Sequence, residues 1–294
     1  MGKPPSNTPP VRPIVFTIDN RYVRPLAVAL ASLDQCCRSR RPVIVVHECL
    51  HPLHRWILAR RHRQSRLDLR FVRLRLPAAR PQLSHHFSSA ILLRLIAAPL
   101  IDAPVFIYVD ADVLFAGDPC DLDRIDLQET TLAAVPWRHP RDLSASGHGV
   151  LSPYFASGML VIDRSRFLAE RIGECCLELI GRHRFDFPDQ DALNLCCTSW
   201  QALPQHFSRT SQDQGELLLE EPDATLLLQF AGAEKPWHPF NRHPYRVLFR
   251  RWLRRTPYRF FPPGWSDLRW RSLGSRLAQR LLGGSLLRRW FTRS

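Results

Sequence analysis

Lysine is almost missing from this chain. Of 41 basic residues only Lys3 and Lys235 are lysine, so one ammonium serves everything beyond the first few residues. A compact ammonium and a planar guanidinium are not interchangeable at a phosphate or carboxylate, which singles out position 235. Long apolar runs are missing too. None approaches the roughly 20 residues a membrane span requires, and residues 1–13, rich in proline and polar side chains, lack the apolar centre of a secretory leader. The expectation is a disordered arm over 1–13 and a body that stays in the cytosol. No Cys-x-x-Cys spacing occurs, which excludes the usual zinc and redox frameworks. Six of the eight cysteines form the adjacent pairs Cys36-Cys37, Cys175-Cys176 and Cys196-Cys197. Neighbours rarely close a bridge on each other, so all are expected to be small buried residues in a reducing compartment. There is no internal repeat. The twelve histidines, among them His51, His54, His85 and His86, lack partners at zinc-ligand spacing and read as solvated or core-capping groups.

Acids are scarce in one place. Residues 245–294 carry 13 arginines against the single acid Asp267, so this segment holds +12 of the chain's net +14. The body is therefore nearly neutral and the tail strongly basic.

With 294 residues, 45% of them hydrophobic, the chain can bury a full core. Apolar, β-branched runs at 14–18, 43–46, 105–109, 132–135 and 158–162 predict strands, and 67–74 alternates as a strand near a sheet edge does. Helical spacing predicts helices over 22–37, 51–64, 87–98 and 164–180, with another after Pro188. Residues 138–152 read as a Gly/Ser/His-rich loop, and 217–219 and 226–228 as short strands or core-facing edges. Strands alternating with helices imply an α/β fold with a largely parallel sheet covered on both faces. Such sheets bind ligands beyond the carboxyl ends of their strands.

Two strand ends carry acids: Asp19 after 14–18, and Asp110 and Asp112 after 105–109. In extended backbone residues i and i+2 share a face, so the two carboxylates converge while Ala111 turns away. Close carboxylates need a cation or a proton between them, and hard oxygen ligands suit Mg2+ or Mn2+ carrying a phosphate-bearing substrate. Alternatively, these acids only cap the following turn.

Four stretches resemble the retaining glycosyltransferases of family 8. They are Ile-Val-Phe-Thr-Ile-Asp-Asn-Arg-Tyr-Val (14–23), Phe-Ile-Tyr-Val-Asp-Ala-Asp-Val-Leu (106–114), Tyr-Phe-Ala-Ser-Gly-Met-Leu-Val-Ile-Asp (154–163) and Phe-Pro-Asp-Gln-Asp-Ala-Leu-Asn (187–194). A fifth, Gln-Phe-Ala-Gly-Ala-Glu-Lys-Pro-Trp (229–237), is similar to the family's His-Phe-x-Gly-x-x-Lys-Pro-Trp. The resemblance implies a GT-A-like, Rossmann-type nucleotide-sugar fold with a mixed, mainly parallel sheet over 14–240. It implies a UDP-hexose donor and a Mn2+ or Mg2+ ion. Thr17, Asp19 and Tyr22 would hold the uridine. The Asp110-Ala111-Asp112 run would meet ribose, metal and pyrophosphate, and Arg94 would reach the donor. Gly232 and Lys235 would approach the phosphates. Asp189, Gln190 and Asp191 would face the sugar as catalytic residues. The metal would rest on Asp110, Asp112 and Gln229, the last standing where the family carries a histidine. Ala156 replaces an asparagine that helps hold the sugar, and Phe207-Ser208 replaces a Tyr-Asn pair.

The resulting expectation is a metal-dependent retaining hexosyltransferase moving galactose or glucose to a lipopolysaccharide-type or other cell-surface glycan. Its rival is a sugar-nucleotide or glycan-binding relative without turnover. A phosphatase using Asp110 as nucleophile is disfavoured, because Val113-Leu114-Phe115 offers no hydroxyl downstream. Residues 241–294 mix arginine with Trp252, Phe260, Phe261, Trp265, Trp270, Trp290 and Phe291, and are expected to form a basic amphipathic tail on the anionic cytoplasmic face of a membrane. A terminal helix packed on the body, or a nucleic-acid surface, is the alternative.

Overall fold

The computed structural model describes residues 10–77, 88, 90–211, 225–232, 234–238 and 241–260. Strands β1 (Ile14–Ile18), β2 (Arg41–His47) and β3 (Leu67–Arg73) alternate with helices α1 (Val23–Cys36) and α2 (Pro52–His62). Helix α3 (Ala90–Ile96) leads to β4 (Val105–Val109) and β5 (Val113–Phe115), and α4 (Cys120–Asp123) to β6 (Leu132–Pro136). A hairpin of β7 (Arg141–Asp142) and β8 (Val150–Leu151) precedes the long strand β9 (Phe155–Asp163). Helices α5 (Arg164–Ala169), α6 (Ile172–Arg182) and α7 (Pro188–Cys196) follow, then β10 (Trp200–Ala202), β11 (Arg209–Thr210), β12 (Leu227–Gln229) and α8 (Arg246–Leu253).

Seven strands make the central sheet in the order β10-β6-β9-β4-β1-β2-β3. β4, β1, β2 and β3 run parallel, as do β10 and β6, while β9 is antiparallel to both its neighbours. The sheet is thus mixed and mostly parallel. β1 is apolar on both faces and wholly buried because helices cover both sides. One apolar layer joins α1 and α8 to the sheet through Leu26, Leu30 and Phe249, and the other joins α3, α6 and α7 through Leu92, Ile172 and Leu193. β3, on the edge, alternates burial along its length. A second sheet, β11-β12-β5, hangs from the end of β4. No described helix is long and apolar enough to cross a membrane.

Several expectations change here. The helix expected over 164–180 breaks at Arg171, whose φ of 54° is left-handed. Packing of α6 on α3 overrides the local pattern: a Cβ on Gly173 would meet the Leu95 carbonyl oxygen. Residues 10–13 are not loose. Arg12 donates to the Leu122 and Ile125 carbonyls, and the Pro13 carbonyl accepts from Ile107. Residues 1–9 lie outside the described part. The body also runs past 240, since Tyr245, Phe249 and Tyr258 are buried in its core and Tyr258 hydrogen-bonds His54 of α2 at 3.1 Å. The rest of the expected tail, 261–294, lies outside the described residues, as do 217–219 and His85-His86.

The cysteine expectation is corrected as well. Cys175 and Cys196 form a disulfide between α6 and α7. Within α6 adjacent side chains point about 100° apart, and Cys197 lies in extended backbone just past the end of α7, so each pair splits: Cys176 and Cys197 are buried in the core, while Cys175 and Cys196 face each other.

Candidate functional site

The acids gather where β1 and β4 end. β4 stops at Val109, and Asp110 to Asp112 form a bend before β5 rather than a continuing strand. Ala111 is buried in the core, so its methyl faces away from any ligand. The antiparallel β5–β12 pairing sets Gln229 opposite Val113, and the Phe230 N–H caps the Asp112 carbonyl at 2.9 Å. This register carries the 229–235 segment across the two carboxylates. A Cβ on Gly158 of β9 would collide with the Gln229 amide, so the glycine provides the seat for that side chain.

The carboxylates are met by cations of this chain. Arg94 of α3 pairs with Asp110 Oδ1 and, at 2.9 Å, with Asp189 Oδ2. Lys235 Nζ lies 2.7 Å from Asp112 Oδ2 and donates to the Phe230 carbonyl at 2.7 Å. Gln229 Nε2 donates to Asp110 Oδ2 at 2.8 Å. Tyr108 donates to Asp110 Oδ1 at 2.8 Å, so its 3.2 Å contact with Thr17 Oγ1 has Thr17 as donor. Burial is the largest influence on Asp110; Asp112 and Asp189 add to it, against Arg94, and the carboxyl is pushed up to about 6. Arg94 is held well above its ordinary range by Asp110 and Asp189, against the opposing effect of burial.

Asp19 caps the 3-10 turn 20–22 through the Arg21 and Tyr22 N–H groups and accepts from Ser88. Tyr22 packs edge-on against Trp237 at 5.8 Å. Burial, then Asp112 and Asp110, raise its phenol far above the usual range, so it stays neutral. Gly232 has a φ of 97°, a conformation that favours glycine.

On the opposite side α7 presents its first turn. Pro188 opens the helix, and Asp189 and Asp191 sit where acids suit the dipole. Asp189 turns to Arg94. Gln190 Oε1 accepts from the Ser157 N–H at 2.9 Å, and its Nε2 donates to the Tyr154 hydroxyl at 3.1 Å. Asp191 differs from the expectation: it is 0% exposed and enclosed by Arg141, Tyr154 and the Phe187 N–H. A carboxylate so covered cannot face a sugar.

The expected residues Asp110, Asp112, Arg94, Asp189, Gln229 and Lys235 therefore converge, with Thr17 joined through Tyr108 and Gln190 through Ser157. Sequence reasoning missed Tyr108, Ser157 and Gly158. Tyr108 could have been found, since it precedes Asp110 by two along a strand and shares its face. Gly158, a glycine inside a central strand, signals a close approach. Ser157 carries no such signal.

Among the described residues no cluster of three or more His, Cys, Asp or Glu could hold a metal, and the Gln229 amide is a neutral side chain with an oxygen donor beside the two carboxylates. The arrangement fits an ion. Two carboxylates are already organised around positive charge, and Gln229 is seated beside them over Gly158. Its Nε2 faces Asp110 because an ionised carboxylate only accepts; a half-turn of the amide offers Oε1, completing an all-oxygen set suited to a hard divalent ion.

An open, mostly parallel α/β sheet binds ligands beyond the carboxyl ends of its strands, which is where these charged groups lie. Residues 13–240 match the profile of Glycosyl transferase family 8, and the chain belongs to that family. It is 26% identical over 193 residues to lipopolysaccharide 1,2-glucosyltransferase of Escherichia coli (strain K12), covering 59% of this chain and 56% of that protein. It is 28% identical over 200 residues to general stress protein A of Bacillus subtilis (strain 168), covering 60% and 68%. The match thus takes in little more than half of the glucosyltransferase's own length. Galactosyltransferase LgtC, solved with donor and acceptor sugar analogs, shares the fold with a TM-score of 0.70 at 20% identity, over 87% of this chain and 99% of that one.

Proposed function

We propose that the chain is a retaining hexosyltransferase that moves galactose or glucose from a UDP-sugar to a lipopolysaccharide-type or other cell-surface glycan, with Mg2+ or Mn2+ bound. The observation that carries this reading is the convergence of Asp110, Asp112 and Asp189 on Arg94 and Lys235, beside Gln190. The names of the relatives support the reaction class and the acceptor class.

In transfer, the acceptor oxygen bonds to C1 of the sugar as the C1–O bond to the diphosphate breaks. The electron pair leaves with the diphosphate oxygen, which takes the acceptor proton. Asp110, Asp112 and Gln229 would hold the ion, which when bound draws charge toward the leaving diphosphate. Lys235 supplies a second compact positive charge for the phosphates. Asp189, fixed by Arg94, accepts from donor hydroxyls. Gln190 is a neutral amide and a poor nucleophile, which favours departure and attack on one face of the sugar.

The protein works, on this reading, at the cytoplasmic face of a membrane. The exposed Arg250, Arg251 and Arg254 and the 77% exposed Phe260 support this, together with the arginine and tryptophan content of 261–294. Anionic vesicles should pellet the full chain more than one ending at Phe260.

The test is a panel of UDP-hexoses with Mn2+ or Mg2+. Release of UDP from at least one of them, lost in Asp112→Ala, is the expected result. Full activity of that variant overturns the site. Binding without turnover selects the non-catalytic reading, which Ala156 and the Gln229–Asp110 hydrogen bond favour.

A further inference from the structure

Behind α7 lies a chain of polar side chains that the proposed chemistry does not use. Arg141 of β7 reaches across the hairpin to Asp191, with Nε at 3.1 Å from Oδ1 and Nη2 at 3.2 Å from Oδ2. Nη2 also meets Asp186 at 2.9 Å, and the guanidinium lies 4.9 Å from the Phe187 ring centroid. Asp191 Oδ1 accepts from the Tyr154 hydroxyl at 2.6 Å, and Oδ2 from the Phe187 N–H at 3.0 Å. Four donors thus fall on two oxygens. The Tyr154 oxygen, whose O–H donates to Asp191, accepts from Gln190 Nε2 at 3.1 Å. At the far end Gln190 Oε1 takes the Ser157 N–H at 2.9 Å and the Ser157 hydroxyl at 3.3 Å.

The direction of each bond is dictated. A backbone N–H can only donate, so Oε1 must face Ser157. An ionised carboxylate can only accept, so Tyr154 must donate to it and keep its lone pairs for the amide. Burial, then the bond to Asp191, hold the Tyr154 phenol far above its usual range, so it stays protonated. Arg141 in turn is the cation on a carboxylate with no exposure to water.

We infer that Arg141, Asp191 and Tyr154 act as positioning residues that set which end of the Gln190 amide meets the sugar. The inference rests on Gln190 touching the donor, as proposed above. Among the described residues one Gln190 side-chain N–H is left without a protein partner, and the relay fixes it as a donor to a sugar oxygen. Asp191 therefore acts one residue removed from the chemistry, through Tyr154.

The experiment compares the full chain with Tyr154→Phe, which loses one hydroxyl and little volume, and with Arg141→Met and Arg141→Lys. Two readouts are needed. The first is the side-chain amide resonance of Gln190 in a 1H–15N spectrum, identified by its absence in Gln190→Ala. The second is steady-state kinetics of UDP release from the hexose the panel selects. Expected for Tyr154→Phe is a displaced amide resonance and a kcat lowered by roughly 10–100-fold, as misplaced groups suffer, with donor KM changed less than about twofold. Arg141→Met should reproduce the pattern, and Arg141→Lys should restore part of kcat. An unchanged Gln190 resonance in Tyr154→Phe overturns the inference, and so does a loss carried by KM alone. Should the unmodified chain release UDP from no hexose, the transferase reading fails, and the resonance still decides the relay.

Discussion

The two sides of the site are built on different principles. Around Asp110 and Asp112 each carboxylate meets a cation of this chain, Arg94 on Asp110 and Lys235 on Asp112, with the neutral Tyr108 hydroxyl and Gln229 amide also donating to Asp110. Around Gln190 the contacts are directional bonds with fixed polarity, backed by an enclosed carboxylate. Ionic contacts act over distance and allow one cation to replace another. A fixed hydrogen-bond chain allows no such exchange. On the proposed function the labour is divided: one side would release its own cations to admit an ion and a diphosphate, while the other holds one amide in one orientation. Ser157 joins them, accepting from Arg94 and donating to Gln190.

This contrast can be broken from either side. Asp112→Ala should have the largest effect, lowering UDP release by about 10²–10³-fold or more, as loss of a group stabilising transition-state charge does. Arg94→Met should follow with a loss of stability, because it strands Asp110 and Asp189 as buried unpaired carboxylates; roughly 3–5 kcal/mol is expected, read by urea unfolding. A loss under about 1 kcal/mol would mean that Asp110 and Asp189 are not held as buried charges by Arg94. Gln229→His should tighten Mn2+ binding in calorimetry, since imidazole donates more strongly than an amide oxygen; no change removes Gln229 from the coordination sphere.

The smallest effect concerns acid stability, whose source lies away from both sides; Asp110, pushed up to about 6 chiefly by burial, takes up its proton in the fold and partly offsets the loss. Burial, the largest cause in each case, depresses His47, His54 and His62 to about 4. The unfolded chain protonates them near 6.5 while the fold keeps them neutral, so their contribution is full above that value and is lost as pH falls toward 4. Tm should drop by a few degrees or more between pH 7 and pH 5, and His54→Gln should shallow the fall. An identical slope in that variant would place the acid sensitivity elsewhere.

How much was legible follows from where each residue sits. β1 and β4 appear with the bounds their β-branched runs predict, because a strand buried on both faces writes its environment into every position. Asp110, Asp112 and Lys235 were visible as chemistry, the lysine through its rarity. The Arg141–Asp191 contact was not, since it joins residues 50 apart through a hairpin that reads as loop. Asp191 looked like its neighbours Asp189 and Gln190, and only helical geometry turns it inward. The Cys175–Cys196 bridge was hidden in the same way, as two adjacent pairs each contribute one member.

The most direct measurement of the account is UDP binding by calorimetry, in Mn2+ and in EDTA, for the unmodified chain and for Asp112→Ala. The account predicts binding by the unmodified chain that requires the ion, and none by the variant under either condition. Equal binding in EDTA, or binding by Asp112→Ala as tight as the original, would contradict it.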